Sequence, residues 1–221
     1  MKKAISMLLA LALVLSFPLA AHCEGTAGGT NDTALTTLSD GGLSAGVQTE
    51  NSYWNDAMSI GCTFGSKWYF YTDEEIAEQN GLVTGMLRED YAKLLEESGS
   101  MMDMLAVNTE TGENVNITLQ RLTLADALVL DEQKYAEISA EPLVEALEQT
   151  GLEDVSTSVD EVDFLGEKHP CIRVKALMQN MDFFETLVIV KTGRTVCVVT
   201  VACFLEDTTE EVLANFYGEK P

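Results

Sequence analysis

Residues 170–204 read PCIRVKALMQNMDFFETLVIVKTGRTVCVVTVACF, and the punctuation of this stretch decides the fold. Three β-rich runs, roughly 170–178, 183–191 and 195–204, are separated by the turn-forming segments Gln179–Asp182 and Thr192–Arg194. Consecutive strands joined by short turns pair most economically as an antiparallel meander. The last run, Val196–Phe204, is apolar at odd and even positions alike. A strand of that kind belongs in the middle of a sheet with both faces covered.

Working back from the meander, Met101–Val107 and Asn114–Leu122 flank Glu110-Thr-Gly-Glu113 as a hairpin. In its second strand Val115, Ile117 and Leu119 alternate with Asn114, Asn116, Thr118 and Gln120, which predicts an apolar face inward and a polar face towards water. Residues 132–150 carry Tyr135, Ile138, Leu143 and Leu147 at helical spacing, with Gly151 as the stop. Pro142 inside that helix should kink it or begin a new helix capped by Ser139. Towards the N-terminus, Ala57–Thr63 and Lys67–Thr72 read as short strands around Phe64-Gly-Ser66. Thr72 and Glu75 have capping-box spacing, a second helix is expected over 86–98, and Thr208 with Glu211 opens a final helix burying Val212, Leu213 and Phe216. The fold class is therefore α+β: an antiparallel sheet, built from a hairpin and a C-terminal three-strand meander, covered by helices.

The first residues have a different character. Lys2 and Lys3 precede an apolar run from Ala4 to Leu15, Pro18 breaks it, and small Ala20 and Ala21 follow. This is the order of a secretory signal over residues 1–22. Leu19-Ala-Ala-His-Cys23 resembles a lipobox, which makes Cys23 a candidate lipid attachment point, although bulky His22 stands where a small residue is expected. Residues 23–50, rich in Gly, Ser and Thr, read as a flexible tail, and 51–221 as one α+β domain. The expected location is extracytoplasmic, either freely secreted or tethered to the membrane through a lipid anchor.

The whole chain has 13 bases, 36 acids and a net charge of −23. Removing a leader that carries only Lys2 and Lys3 leaves eleven bases and a net charge of −25. Such a surface repels a phosphate backbone and anionic headgroups, so nucleic acid is excluded as a partner class. Beyond the leader, Cys62, Cys171, Cys197 and Cys203 all sit among apolar neighbours. The expectation is free buried thiols, with a disulfide from Cys62 as the alternative. Cys197 and Cys203 cannot bridge each other, because six strand residues span roughly 20 Å.

No catalytic, cofactor-binding or metal-binding constellation stands out. His169 and Cys171 form the one conceivable nucleophile pair, but about 6.6 Å of strand and Pro170 separate them. The acids Asp160, Glu161, Asp163 and Glu167 lack the spacing and glycine of a calcium loop. Glu137, Glu141, Glu145 and Glu148 stripe the main helix and read as a solvated face. The feature most like a contact surface is aromatic: Tyr53, Trp54, Trp68, Tyr69 and Tyr71. Trp68 and Phe70 should share one face of their strand, and Tyr69 and Tyr71 the other, one set being core.

Three stretches, IGCTFGSKWYFYTDEEIAEQNG, EDVSTSVDEVDFLGEKHPCIRV and VCVVTVACFLEDTTEEVLANF, carry a resemblance over most of residues 55–217. Their order of elements resembles the PsbP/Mog-like α+β sandwich, and is similar to small exported proteins of Gram-positive gut bacteria. That resemblance implies a binding or assembly module without chemistry of its own, and no catalytic residues to carry over. The function expected is a non-enzymatic extracytoplasmic module, its partner a protein or small ligand of the cell envelope. The alternatives are a small Cys/His hydrolase-like enzyme using Cys171 and His169, or an acidic cation-binding envelope protein.

Overall fold

In the computed structural model, which describes residues 44–81 and 91–220, the apolar run at the C-terminal end of the meander lies inside the larger of two antiparallel sheets. The smaller sheet contains β1 (Val47–Gln48), β2 (Ser52–Asn55), β3 (Ile60–Thr63) and β11 (Phe216–Tyr217), in that order. The larger is built from β4 (Trp68–Phe70), β5 (Ser100–Asn108), β6 (Asn114–Arg121), β7 (Glu153–Phe164), β8 (Glu167–Met178), β9 (Met181–Thr192) and β10 (Thr195–Phe204), ordered β4-β5-β6-β10-β9-β8-β7. Five helices complete the described chain: α1 (Asp73–Gln79), α2 (Tyr91–Ser98), α3 (Leu124–Val129), α4 (Glu132–Gln149) and α5 (Thr209–Leu213). The architecture is α+β.

The meander forms because its turns suit the strands. Gln179 and Asn180 both take positive φ between β8 and β9, as a two-residue hairpin turn requires, and Gly193 does so between β9 and β10. β10 is buried from Thr195 to Cys203 because it has a neighbour on each side and a core on each face. One core lies between the two sheets and gathers Tyr53, Ile60, Phe64, Leu95, Ile117, Val199 and Phe216. The other lies under α4 and gathers Tyr135, Leu143, Leu147, Ile172, Phe183 and Leu187. Burial of each such aliphatic or aromatic side chain contributes about 1.5–3 kcal/mol.

Several expectations change. The leader, Cys23 and Leu87 lie outside the described residues. Val47 and Gln48, read as part of the tail, pair with Trp54 and Tyr53. The meander gains a fourth strand, β7, which pairs along most of β8 through a stretch that reads as merely acidic. α4 runs without a break through Pro142, and Ser139 is buried within it rather than capping a second helix; its cap is Asp131, whose carboxylate accepts from Lys134 N. Thr208 makes no capping bond, because its hydroxyl donates instead to Glu113 at 2.7 Å. The polar face of β6 is not towards water: Asn114, Asn116, Thr118 and Gln120 are all buried. Among the described residues no helix is long and apolar enough to cross a membrane.

Candidate functional site

β4 is one of the two edges of the large sheet, and its alternation sorts the aromatic cluster. Phe70 is buried and Trp68 half-buried on the inner face, where Trp68 stacks on Phe64 at 4.3 Å. On the outer face Tyr69 is 45% exposed and meets Tyr71 edge to face at 5.3 Å. The capping box of α1 holds this pair in place. Thr72 N–H donates to Glu75 at 2.8 Å, and the Tyr69 hydroxyl donates to the same carboxylate at 2.9 Å. That hydrogen bond to Glu75 holds the Tyr69 phenol above its ordinary range. Partial burial works to raise the Glu75 carboxyl, but the bonds from Thr72 and Tyr69 outweigh it and leave the group lowered.

Trp68, Tyr69, Tyr71 and Thr72 line a groove of about 580 Å³. Gln48, Thr49 and Glu50 form one wall, Thr72 and Asp73 another, and Trp68, Tyr69 and Tyr71 contribute the rings. The lining contains two carboxylates and no Lys, Arg or His. Aromatic faces beside carboxylates, with no competing cation, attract positively charged groups.

The other two aromatics expected at this surface are elsewhere. Tyr53 is a core residue, 1% exposed, whose hydroxyl donates to Asp103. Burial in the first place, and then Asp103, hold that phenol well above its ordinary range. Trp54 belongs to the small sheet, where it stacks on Tyr217 at 5.9 Å and donates from Nε1 to Asp56. The cluster thus divides into a groove set (Trp68, Tyr69, Tyr71), a core residue and a second surface.

His169 has its hydrogen bond with Glu132 rather than with Cys171. His169 Nδ1 lies 3.1 Å from Glu132 Oε2, while burial pushes the Cys171 thiol up to about 11, away from the thiolate a nucleophile needs. All four described cysteines are free and buried. Among the described residues no group of three His, Cys, Asp or Glu side chains could hold a metal ion.

Sequence reading missed two buried acids, Asp103 and Glu185, each a lone charge in an apolar run (MMDML and FFETL). That isolation was the available signal. Asp103 sits at a bulge in β5 and accepts from Gly46 N and Asn55 Nδ2, both at 2.9 Å, besides Tyr53. Burial alone pushes the Glu185 carboxyl up to about 8.

No protein-family model and no curated protein matches this chain. Among solved structures it is similar to a protein from Bacteroides thetaiotaomicron, with a TM-score of 0.39 and 13% identity over 78% of this chain. The chain spans 50% of that protein's length. It is also similar to LpqN, involved in cell envelope biogenesis of Mycobacterium tuberculosis, with a TM-score of 0.40 and 9% identity, covering 72% of this chain and 82% of LpqN.

Proposed function

We infer that the protein is an extracytoplasmic binding module that takes a positively charged segment of an envelope partner into the β4-edge groove. The observation that carries this reading is Tyr69: a large ring exposed at a sheet edge, held by Glu75, over a groove lined with carboxylates and without a base. The leader-like residues 1–22 support the location, and Cys23 is the point where a lipid would tether the chain. The chain's net charge of −23 favours a basic partner through long-range attraction. The helix-covered antiparallel sheet fits a PsbP/Mog-like sandwich of the kind found in small exported proteins of Gram-positive gut bacteria, where a binding or assembly role without catalysis is expected.

The test is a fluorescence titration with a short lysine-rich peptide, followed through Trp68. Saturable binding that weakens at least tenfold in Tyr69→Ala, and with added salt, supports the reading. Equal affinity in wild type and Tyr69→Ala, or a response only to an acidic control peptide, overturns it. Mass spectrometry of the mature N-terminus tests the location independently: a lipidated Cys23 or a cut beside it is expected, and an intact Met1 rules it out.

A further inference from the structure

The main chain of β4 has an unpaired side. In an antiparallel pair, residues alternate between those whose main-chain groups bond the neighbouring strand and those whose groups point away from it. Two bonds fix the phase here: Thr109 N–H donates to Lys67 O, and Tyr71 N–H donates to Leu105 O, both at 2.9 Å. Tyr69 lies between them, opposite Val107. Lys67, Tyr69 and Tyr71 therefore bond towards β5, and the main-chain groups of Trp68 and Phe70 point away from the sheet. Among the described residues no strand lies on that side. Trp68 N–H is taken by Gly65 O at 3.0 Å. Trp68 C=O, Phe70 N–H and Phe70 C=O have no hydrogen-bond partner among the described residues.

The groove runs along this unpaired side. Trp68 and Phe70 belong to the inner face of the strand and Tyr69 and Tyr71 to the outer, yet all four line it. A cavity lined by consecutive residues of both faces follows the edge of a strand, not one of its faces. Opposite stand Gln48, Thr49 and Glu50, tied to the start of α1 by the Gln48 side chain, which donates to Asp73 Oδ1 at 3.4 Å. The two edges of the sheet also differ in chemistry. β7 carries Glu153, Asp154, Asp160, Glu161 and Asp163, charges that discourage a further strand. β4 reads Trp-Tyr-Phe and carries none. An uncharged edge with free donors and acceptors is a template for an incoming chain, and main-chain bonds supply the affinity in strand addition.

We propose, given that the groove takes a cationic segment, that the segment binds as an added β-strand beside β4. Its N–H groups donate to Trp68 C=O and Phe70 C=O, and one of its carbonyls accepts from Phe70 N–H. Strand geometry then sets the pattern of the partner. Every second side chain lies on the outer face with Tyr69 and Tyr71, near the Glu75 carboxylate that holds the Tyr69 hydroxyl. Those positions take Lys or Arg, which the rings and the carboxylates of the groove attract. The side chains between them lie on the inner face beside the half-buried Trp68 and are apolar. The partner is thus an extended segment alternating basic and apolar residues, not any cationic surface.

The experiment titrates the isotope-labelled protein with an end-blocked hexapeptide alternating lysine and valine, and with two N-methylated forms. One form is methylated at the lysine amides and the other at the valine amides. All three keep the same charge and side chains, but in a strand only alternate amides face the neighbouring strand. The parent peptide should bind saturably, one methylated form should lose at least tenfold in affinity, and the other should bind like the parent. At saturation, hydrogen exchange of Phe70 N–H should slow, while Tyr69 N–H, opposite Val107, stays unchanged. Equal binding of all three forms, or equal loss in both methylated ones, overturns strand addition. If that binding still weakens in Tyr69→Ala, the cationic groove stands without it. No binding by any form overturns both. Protection of Phe70 N–H that grows with protein concentration in the absence of peptide would give the edge to a second copy of this chain and overturn the peptide as its occupant.

Discussion

The Tyr53 hydroxyl donates to the Asp103 carboxylate in the interior, across 50 residues of sequence. Asn55 and Gly46 donate to the same carboxylate, so a single acid fastens the first described residues to the bulge of β5. Breaking one spoke of this arrangement leaves a buried polar atom with fewer partners, which is the expensive half of a hydrogen bond. Tyr53→Phe should destabilise the domain by about 1–3 kcal/mol in urea unfolding. Asp103→Ala should cost more, since it removes the acceptor that Tyr53, Asn55 and Gly46 share. A double-mutant cycle between Tyr53→Phe and Asn55→Ala should be non-additive because both act through one carboxylate. Additive losses would mean that the contacts are energetically separate.

Glu132 bridges α4 to the sheet, accepting from Lys191 N at 2.7 Å and facing His169 Nδ1. The Glu132 hydrogen bond raises the His169 imidazole against an opposing effect of burial. Burial works to raise Glu132, and the bonds from His169 and Lys191 outweigh it, leaving the carboxyl lowered. A raised histidine stabilises the fold fully below its ordinary value of 6.5, and that contribution disappears as pH climbs through the raised value. A lowered carboxyl stabilises above its ordinary 4.5 and loses that contribution as pH falls through its lowered value. The pair is therefore strongest between those limits. His169→Gln should cost about 1 kcal/mol at pH 5.5 and markedly less at pH 8.5. A cost independent of pH would show that packing, not charge, dominates there.

Glu185 has the opposite consequence. Burial lifts its carboxyl from an ordinary 4.5 to about 8, so the folded state holds a proton that the unfolded state releases. Its contribution is most favourable below pH 4.5 and is progressively lost as pH rises towards 8. Glu185→Gln should remove that slope and stabilise the protein at pH 7 by roughly 2–3 kcal/mol. Thermal unfolding of both forms at pH 5 and pH 8 measures it, with the gap widening at the higher pH. A constant gap would place the titration elsewhere.

Cys171 is buried, and its thiol is pushed up to about 11. Native protein at pH 8 should resist iodoacetamide for hours at all four described cysteines and consume it rapidly in denaturant. Fast native labelling of Cys171 would revive the hydrolase alternative.

What could be read from the chain depended on how much each element declares locally. The meander was legible because Gln179-Asn180 and Gly193 interrupt otherwise unbroken β-formers, and α1 because Thr72 and Glu75 stand at capping distance. β7 was not legible. As the edge of the large sheet opposite β4 it is mostly exposed, and its Asp and Glu residues suit an edge that must not pair with another chain. The inversion at β6 has another origin. Alternation reports which residues share a face, and polar chemistry ordinarily identifies the wet one. Here both faces are covered, so Asn116 is 0% exposed despite its side chain. The groove was half legible: strand alternation places Tyr69 and Tyr71 together. Nothing local announces that Tyr53 is claimed by an acid 50 positions away.

The small sheet seats β11 against β3, with Tyr217 stacked on Trp54 and both rings closing over Gly61, where an added Cβ would lie 2.5 Å from each. Its strands come from opposite ends of the described chain. Translation must therefore pass residue 217 before that sheet can gain its β11 edge, whereas the pairing of β5 to β10 needs only residues up to 204. Acquisition of the native state is timed by synthesis. The large sheet can assemble on a growing chain, but β1 to β3 wait for β11, and a nascent domain stays open on that side until residue 217 has been made.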